Sequence, residues 1–214
     1  MRSRKRKFRL FMERFHPNER TRVVDVGVTD APYGEGDGAH PAENFFEALY
    51  PWPERITAVG LADFPRFRAA FPTVRFVQAD GRTLPFADGE FDLGLSNAVV
   101  EHVGGRDDQR AFVHELCRVA RRVFVTTPNR WFPVEVHTLV PFVHWLPKTR
   151  ADRVFRALGK RDAAAVNLLG AREFRALFPY RVEIVNTGVS LVAIGPAWMD
   201  AHAETEVPDG ATLR

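Results

Sequence analysis

Short runs of β-branched residues alternate with segments of helical periodicity along most of this chain, and this alternation limits the possible folds more than any other feature. Strands separated by a helical segment pair in parallel through right-handed crossovers, whereas strands joined by a short turn pair antiparallel. The predicted strands are 22–28, 55–61, 74–79, 91–96, 123–127, 181–186 and 190–195, and the predicted helices include 42–50, 65–71, 107–121, 151–158 and 171–178. We therefore predict an α/β fold: a mostly parallel seven-stranded sheet with helices on both faces and a C-terminal antiparallel hairpin.

The length and composition are those of a globular chain with one main core. The chain has 214 residues, of which 45% are hydrophobic and 27% are charged, and this length is typical of one domain. The single cysteine, Cys117, excludes an intrachain disulfide and fits a reducing compartment. No uninterrupted apolar stretch indicates a signal peptide or a transmembrane helix. Together these observations predict a cytoplasmic protein.

Positive charge is concentrated near the N-terminus. Residues 2–9 carry six basic side chains and no acidic one, although the formal net charge of the whole chain is only +3. Two interpretations stay open: a solvated, frayed terminus, or an arm that contacts an anionic surface such as a nucleic acid or a membrane. Phe8, Leu10, Phe11 and Phe15 predict that a short amphipathic helix follows and docks on the domain.

Ligands of parallel α/β sheets bind beyond the carboxyl ends of the strands, so the loops that follow the strands are the candidate sites. The first loop follows V-V-D-V-G-V (23–28) and is rich in glycine, but it contains neither G-x-G-x-x-G nor G-x-x-x-x-G-K-[ST]. Asp80 follows the third strand and precedes Gly81. A carboxylate in this place can accept a hydrogen bond from the exocyclic amine of adenine, and the next backbone N–H can donate to a ring nitrogen.

The segment from Asp80 to Val103 reads D-G-R-T-L-P-F-A-D-G-E-F-D-L-G-L-S-N-A-V-V-E-H-V. It resembles the class I S-adenosylmethionine-dependent methyltransferases, in the subgroup with a "D-x-x-x-L-P-F-x-D-x-x-F-D … E-H-V" segment. The resemblance is strongest over 74–103 and extends over 22–127. It implies a Rossmann-like fold, S-adenosyl-L-methionine as the cofactor, and transfer of the cofactor's methyl group to a second molecule.

The resemblance assigns the first loop to the amino-acid end of the cofactor. Asp25 and Gly27 match the family's D/E-x-G pair, in which the carboxylate holds the loop and the glycine lets the backbone approach. The family usually has a second glycine two residues later, where this chain has Thr29. Asn44 and Glu43, at the start of the next helix, are further candidates for this end of the cofactor.

The ribose position departs from the family pattern. The acidic residue that normally holds both ribose hydroxyls would fall on Ala62, and Asp63 follows one place later. Asp63 can replace it only if the strand has already ended, because successive side chains of a strand point to opposite faces. The remaining predicted cofactor-binding residues are Asp80, Gly81, Ser96 and Asn97.

Three residues are candidates for catalysis. His102 is the leading candidate for a general base, because it follows the fourth strand and has an ordinary pKa near neutrality. The alternative is that His102 packs or caps its loop. Glu101 and His137 complete the candidate set, and convergence of the three on a metal is a weaker alternative, since no H-E-x-x-H or Cys–His spacing occurs. We therefore predict no metal site.

Residues 128–147 follow the fifth strand at the same edge of the sheet and combine aromatic, proline, arginine and histidine residues. We interpret 128–170 as a lid over the methyl acceptor, expected to be a small apolar or aromatic molecule; the alternative is a hydrophobic cluster that covers the sheet edge. The predicted organisation is a basic arm and helix over 1–20, a methyltransferase domain over 21–198 and a loose tail over 199–214.

Two other classes of function stay open. A nicotinamide-dependent oxidoreductase has a similar sheet, but it needs the G-x-G-x-x-G turn that this chain lacks. A non-catalytic binding module would explain the altered glycine loop and Ala62, with the basic arm attracting a partner. The intact segment from Asp80 to His102 argues against complete loss of the cofactor site. The sequence does not decide the oligomeric state.

Overall fold

The computed structural model describes residues 2–30, 44–135, 138–160 and 166–196. Its seven strands are β1 Val23–Val26, β2 Ile56–Gly60, β3 Arg75–Gln78, β4 Phe91–Asn97, β5 Ala120–Pro128, β6 Glu183–Asn186 and β7 Ser190–Gly195. They form one sheet in the order β3-β2-β1-β4-β5-β7-β6. The first five are parallel, and β7 runs antiparallel between β5 and β6. The predicted seven-stranded sheet and its C-terminal hairpin are confirmed.

Helices cover both faces of the sheet. They are α1 Arg2–Phe15, α2 Phe45–Leu49, α3 Pro65–Ala70, α4 Arg106–Val119, α5 Lys148–Ala157 and α6 Ala171–Arg175, with short 3-10 turns at Pro53–Arg55 and Val143–Trp145. One core cluster joins the sheet to α4 and α6, and a second joins it to α1, α2 and α3. No helix in the described ranges is long and apolar enough to cross a bilayer.

The burial of each strand follows from its composition and its place in the sheet. β1 and β2 are short, rich in Val and Ile, and buried along their whole length, as expected of central strands covered on both faces. β3 and β6 lie at the two edges and are partly exposed. The carboxyl ends of the parallel neighbours β2, β1 and β4 meet at one edge of the sheet.

The basic N-terminal segment is part of the folded domain. α1 begins at Arg2 and includes the whole basic run. The Phe11 and Phe15 rings pack against Phe124 of β5, with ring centroids 5.5 and 6.2 Å away, and Arg14 forms an ion pair of 2.6 Å with Glu183 of β6. The interpretation of 2–9 as a frayed terminus is therefore wrong, because the segment is helical and Lys7 is buried, although Lys5, Arg6 and Arg9 are exposed to solvent.

Some predicted segments fall outside the described residues. These are the glycine-rich part of the first loop (31–41), the first two residues of the predicted helix 42–50, and the C-terminal tail (199–214). Glu43 and His137, both candidates for the site, also lie outside the described residues.

Candidate active site

Two adjoining cavities lie at the carboxyl ends of the central strands. The first, of about 480 Å³, is bordered by the end of β1, by α2 and by the residues after β4. The second, of about 420 Å³, is bordered by β1, by the residues after β3 and by α4. Both are lined by Gly27, Leu61, Val99 and His102. We call them the first and the second cavity, and together they form a continuous site for an elongated ligand.

Gly27 lies between the two cavities, and its geometry excludes a side chain. Its φ is +103°, and a Cβ atom built there would come within 2.3 Å of Val99 Cγ2. The Gly27 N–H donates to Val59 O at 2.9 Å, which ties the end of β1 to β2. A glycine is therefore required here both by the backbone conformation and by the space available.

The turn after Gly27 is held by a side chain in place of the missing second glycine. The Thr29 N–H donates to Asn44 Oδ1 at 3.1 Å, and Asn44 Nδ2 donates to Thr29 O at 2.9 Å. The Asn44 side chain thus pairs with the Thr29 backbone as a neighbouring strand would. Both residues line the first cavity. Asn44 itself adopts the left-handed conformation, with φ of 52°, which asparagine tolerates better than most residues.

Two buried carboxyl groups, Asp25 of β1 and Glu47 of α2, meet at the first cavity. They are 6% and 3% exposed, and their carboxyl groups lie within hydrogen-bonding reach of each other. Burial raises the pKa of Glu47 from 4.5 to about 7. Burial and the neighbouring Glu47 raise the pKa of Asp25 well above its ordinary value. Because two such groups cannot both ionise cheaply, they share a proton near neutral pH.

The second cavity contains the predicted Asp80–Gly81 pair. Both oxygens of Asp80 accept from the guanidinium of Arg82, which also donates to Asp108 at 2.8 Å. The Arg82 backbone N–H also donates to Asp80 Oδ1, at 2.9 Å. These bonds lower the pKa of Asp80, so the carboxylate is ionised, and each of its oxygens accepts two contacts from Arg82. A side chain on Gly81 would come within 2.5 Å of the Phe112 ring. The absence of a side chain therefore brings the backbone close to an aromatic wall.

Two predicted cofactor-binding residues do not line either cavity. Asp63 forms an exposed ion pair of 2.9 Å with Arg68. Ser96 is fully buried, and its hydroxyl donates to Val26 O at 2.9 Å. Ser96 thus joins the ends of β4 and β1, and its contribution to the site is to hold these strands together.

Asn97, at the end of β4, lines the first cavity and connects it to helix α1. Its Oδ1 accepts from Lys7 Nζ and, at 2.9 Å, from Thr126 Oγ1. Lys7 is 5% exposed, and burial, with a smaller effect of Arg4, lowers its pKa from 10.5 to about 8. Arg4 lines the same cavity. Sequence analysis missed Arg4, Lys7 and Glu47, because contacts distant in sequence give these residues their place.

Glu101 and His102 follow Asn97 in the loop after β4. Glu101 is completely buried, and its Oε2 accepts from Thr127 Oγ1 at 3.0 Å. The His102 ring lines both cavities, its side chain is 46% exposed, and its Nε2 lies 3.9 Å from Glu101 Oε1. An imidazole open to a ligand and backed by a buried carboxylate has the arrangement of a general base.

The segment after β5 forms part of a third cavity, of about 300 Å³, which we call the outer cavity. Arg130, Glu135 and His144 line it, together with residues from α4 and α5. Trp131 and Trp145 are exposed instead, by 60% and 39%. Described residues 128–135 and 138–160 thus supply both a polar cavity and an exposed aromatic surface.

Comparison with known proteins finds similarity to methyltransferases. A family model described as "Methyltransferase domain" matches residues 45–123. An uncharacterized methyltransferase from Mycobacterium sp. (strain JLS) is 37% identical over 149 residues, which is 66% of this chain and 55% of that protein. The chain thus spans about half the length of this relative.

Solved structures share the fold at low sequence identity. Geranyl diphosphate C-methyltransferase from Streptomyces coelicolor A3(2) has a TM-score of 0.56 at 15% identity, over 90% of this chain and 78% of that one. A 1,6-didemethyltoxoflavin-N1-methyltransferase from Burkholderia thailandensis, solved with S-adenosylhomocysteine, has a TM-score of 0.52 at 14% identity, over 88% and 75%. Strand order, cavity position and sequence matches all support a class I S-adenosylmethionine-dependent methyltransferase.

Proposed function

We propose that this protein transfers the methyl group of S-adenosyl-L-methionine to a small-molecule acceptor. The observation that carries the proposal is the pair of adjoining cavities, with Asp25 and Glu47 at one end and Asp80 and Gly81 at the other. S-adenosylmethionine has an ammonium group at one end and adenine at the other. Each end of the ligand therefore matches the chemistry of one cavity.

The first cavity fits the amino-acid end of the cofactor. The oxygens of Glu47 are buried beside Asp25, so the pair, once ionised, can accept charge-assisted hydrogen bonds from an ammonium group. The ammonium would replace the proton that Asp25 and Glu47 share, which releases that proton and ionises the pair. The Asn44–Thr29 contacts keep the neighbouring backbone in place.

The second cavity fits the adenine. Ala79, Val103 and Phe112 supply apolar walls. Arg82 Nε shares its N–H between the two oxygens of Asp80, at 3.1 Å from each, so a shift of this bond onto Oδ2 would leave Oδ1 able to accept from the exocyclic amine. The Gly81 backbone lies beside the Phe112 ring, so its N–H is a candidate donor to a ring nitrogen. Because Asp63 lies outside both cavities, we expect the ribose to be held without the usual acidic partner.

The cofactor supplies an already activated methyl group on its sulfonium. The residues of the chain contribute position and exclusion of water, which lower the barrier by bringing two reactants together in a dry site. We assign to His102 the acceptance of a proton from the methyl acceptor. The buried Glu101 carboxylate, 3.9 Å from His102 Nε2, would then stabilise the imidazolium that forms.

Calorimetric titration with S-adenosylmethionine, S-adenosylhomocysteine and NADH separates this proposal from its rivals. Binding of the first two and not of NADH is the expected result. Binding of NADH alone would indicate an oxidoreductase, and binding of none would indicate a module without a cofactor.

The role of His102 needs a separate test, on a methyl acceptor that gives turnover. His102→Ala is expected to lower the rate by about 10²–10⁴-fold, whereas His114→Ala, on the exposed side of α4, serves as the control. An unchanged rate in the His102 variant would mean that another group, or water, takes the proton.

A further inference from the structure

The outer cavity is separate from the proposed cofactor site. It lies between the first turn of α4, the segment after β5, helix α5 and residues 166–168, and none of its lining residues borders the first or the second cavity. Its volume of about 300 Å³ is that of a site for a small molecule. Ala151, Phe155 and Leu168 supply apolar surface.

His144 presents a buried hydrogen-bond acceptor to this cavity. The residue is 8% exposed, and its Nε2 lies 2.9 Å from Phe132 O. A carbonyl oxygen only accepts, so Nε2 carries the proton and the neutral ring keeps a lone pair on Nδ1. Nδ1 is buried and receives no donor from the described residues. A buried acceptor without a donor costs stability, unless a ligand supplies one.

Arg130 presents the complementary group, a cationic donor. Its Nε is buried and has no hydrogen-bond acceptor among the described residues. The nearest carboxylate, Glu173, lies 3.9 Å from Arg130 and 3.5 Å from Arg106, both longer than a good hydrogen bond. Glu173 Oε2 already accepts from Gly170 N at 2.8 Å. The Arg130 guanidinium therefore keeps donors for a planar oxyanion.

The other charged groups of the cavity have partners inside the protein. Lys148 lies 3.4 Å from Asp152, and Glu135 Oε2 accepts from Thr138 N at 2.7 Å. The Arg130 guanidinium therefore remains as a hydrogen-bond donor and His144 Nδ1 as a hydrogen-bond acceptor, on residues that line one cavity with an apolar wall.

We propose that the outer cavity binds a small hydroxy-carboxylic acid, with its carboxylate on Arg130 and its hydroxyl donating to His144 Nδ1. The carbon body of the ligand packs on Phe155 and its apolar neighbours. This binding site does not depend on the proposed function, since it shares no residue with the two cofactor cavities.

The test uses 2-, 3- and 4-hydroxybenzoate as probes, with benzoate and phenol as analogues that each lack one of the two groups. Binding is followed by ligand-observed NMR and by the shift of the His144 ring nitrogens in protein labelled with ¹⁵N-histidine. At least one hydroxybenzoate should bind at about 1 mM or tighter, and its two analogues at least tenfold more weakly. His144→Phe should remove the advantage over benzoate, and Arg130→Gln the advantage over phenol; Arg110→Gln and His114→Gln, on the exposed side of α4, serve as matched controls.

The outcomes separate the site from the proposed function. If S-adenosylhomocysteine binds and none of the three hydroxybenzoates binds at about 10 mM, the outer cavity does not have the assigned role, while the proposed function stands. If a hydroxybenzoate binds and shifts His144 but S-adenosylhomocysteine does not bind, the site stands and the proposed function fails. Equal binding of the hydroxybenzoate and benzoate by the unaltered protein would also overturn the proposal, without any variant that has to fold.

Discussion

Replacing Glu47 by glutamine should make the protein more stable and, at the same time, a weaker binder of S-adenosylhomocysteine. Glu47 is 3% exposed and lies against Asp25 in the first cavity. Glutamine has nearly the same size, keeps one carbonyl oxygen and adds an amide that can donate to Asp25. The substitution therefore removes the ionisation of residue 47 with little change in packing.

The size of the stability effect follows from the pKa of Glu47, which burial raises from 4.5 to about 7. Each pKa unit corresponds to about 1.4 kcal/mol, so the shift corresponds to roughly 3 kcal/mol. In the unfolded chain the group loses its proton near its ordinary pKa, whereas the folded protein holds the proton up to about pH 7. The free energy of unfolding should therefore fall as pH rises between these values, and this part of the fall should be absent in Glu47→Gln.

The effect on binding has the opposite direction. An ammonium group in the first cavity gains from an ionised Asp25–Glu47 pair, so affinity for S-adenosylhomocysteine should rise from pH 6 to pH 8 in the unaltered protein. A hydrogen bond to a charged group contributes about 1.5–3 kcal/mol, and Glu47→Gln should therefore lose at least about tenfold in affinity at pH 8.

Urea unfolding at several pH values and calorimetry with S-adenosylhomocysteine measure the two effects. Glu54→Gln, which removes an exposed carboxylate five residues after the end of α2, is the control for lost charge. A Glu47→Gln variant that is less stable than the unaltered protein at pH 8, or that binds equally well, would refute the assignment of the buried pair.

Three further substitutions test other parts of the site. Asp80→Ala should weaken S-adenosylhomocysteine binding at least tenfold, about 1.4 kcal/mol, in a calorimetric titration; unchanged affinity would mean that adenine binds elsewhere. Gly27→Ala should cost about 2–5 kcal/mol in urea unfolding, because φ is +103° and Val99 occupies the space; a loss below about 1 kcal/mol would contradict this geometry. Since burial lowers the pKa of Lys7 to about 8, the unfolded chain binds more protons above this pH, and stability should rise from pH 8 to pH 10. Lys7→Met should abolish that rise, while the exposed Lys5→Met should retain it.

The sheet and half of the site were predictable because they depend on local pattern. Runs of valine and isoleucine separated by single helical segments favour parallel pairing, and the carboxyl ends of parallel strands meet at one edge. Asp25, Gly27, Asp80 and Asn97 stand at these ends in sequence, so their convergence on two adjoining cavities follows from topology alone.

The remaining residues depend on contacts that no local pattern encodes. Glu47 follows Phe45 and Phe46, and the periodicity of α2 gives no sign that an acid in its first turn is buried. The sequence did offer one signal for Glu47: it is an acidic residue beside two phenylalanines, in a helix that follows a glycine-rich loop. Lys7 belongs to a basic run, which by composition alone is typical of a solvated segment; only the packing of Phe11 on β5 brings it to Asn97.

The docking of α1 also has a consequence for the order in which the molecule is completed. Arg14 and its partner Glu183 are 169 positions apart, and the core cluster around Phe11 includes Val192 and Ile194 of β7. Contacts between such distant positions form late, because a long loop has to close first. During synthesis, α1 therefore finds its complete docking surface only after β7 has been made.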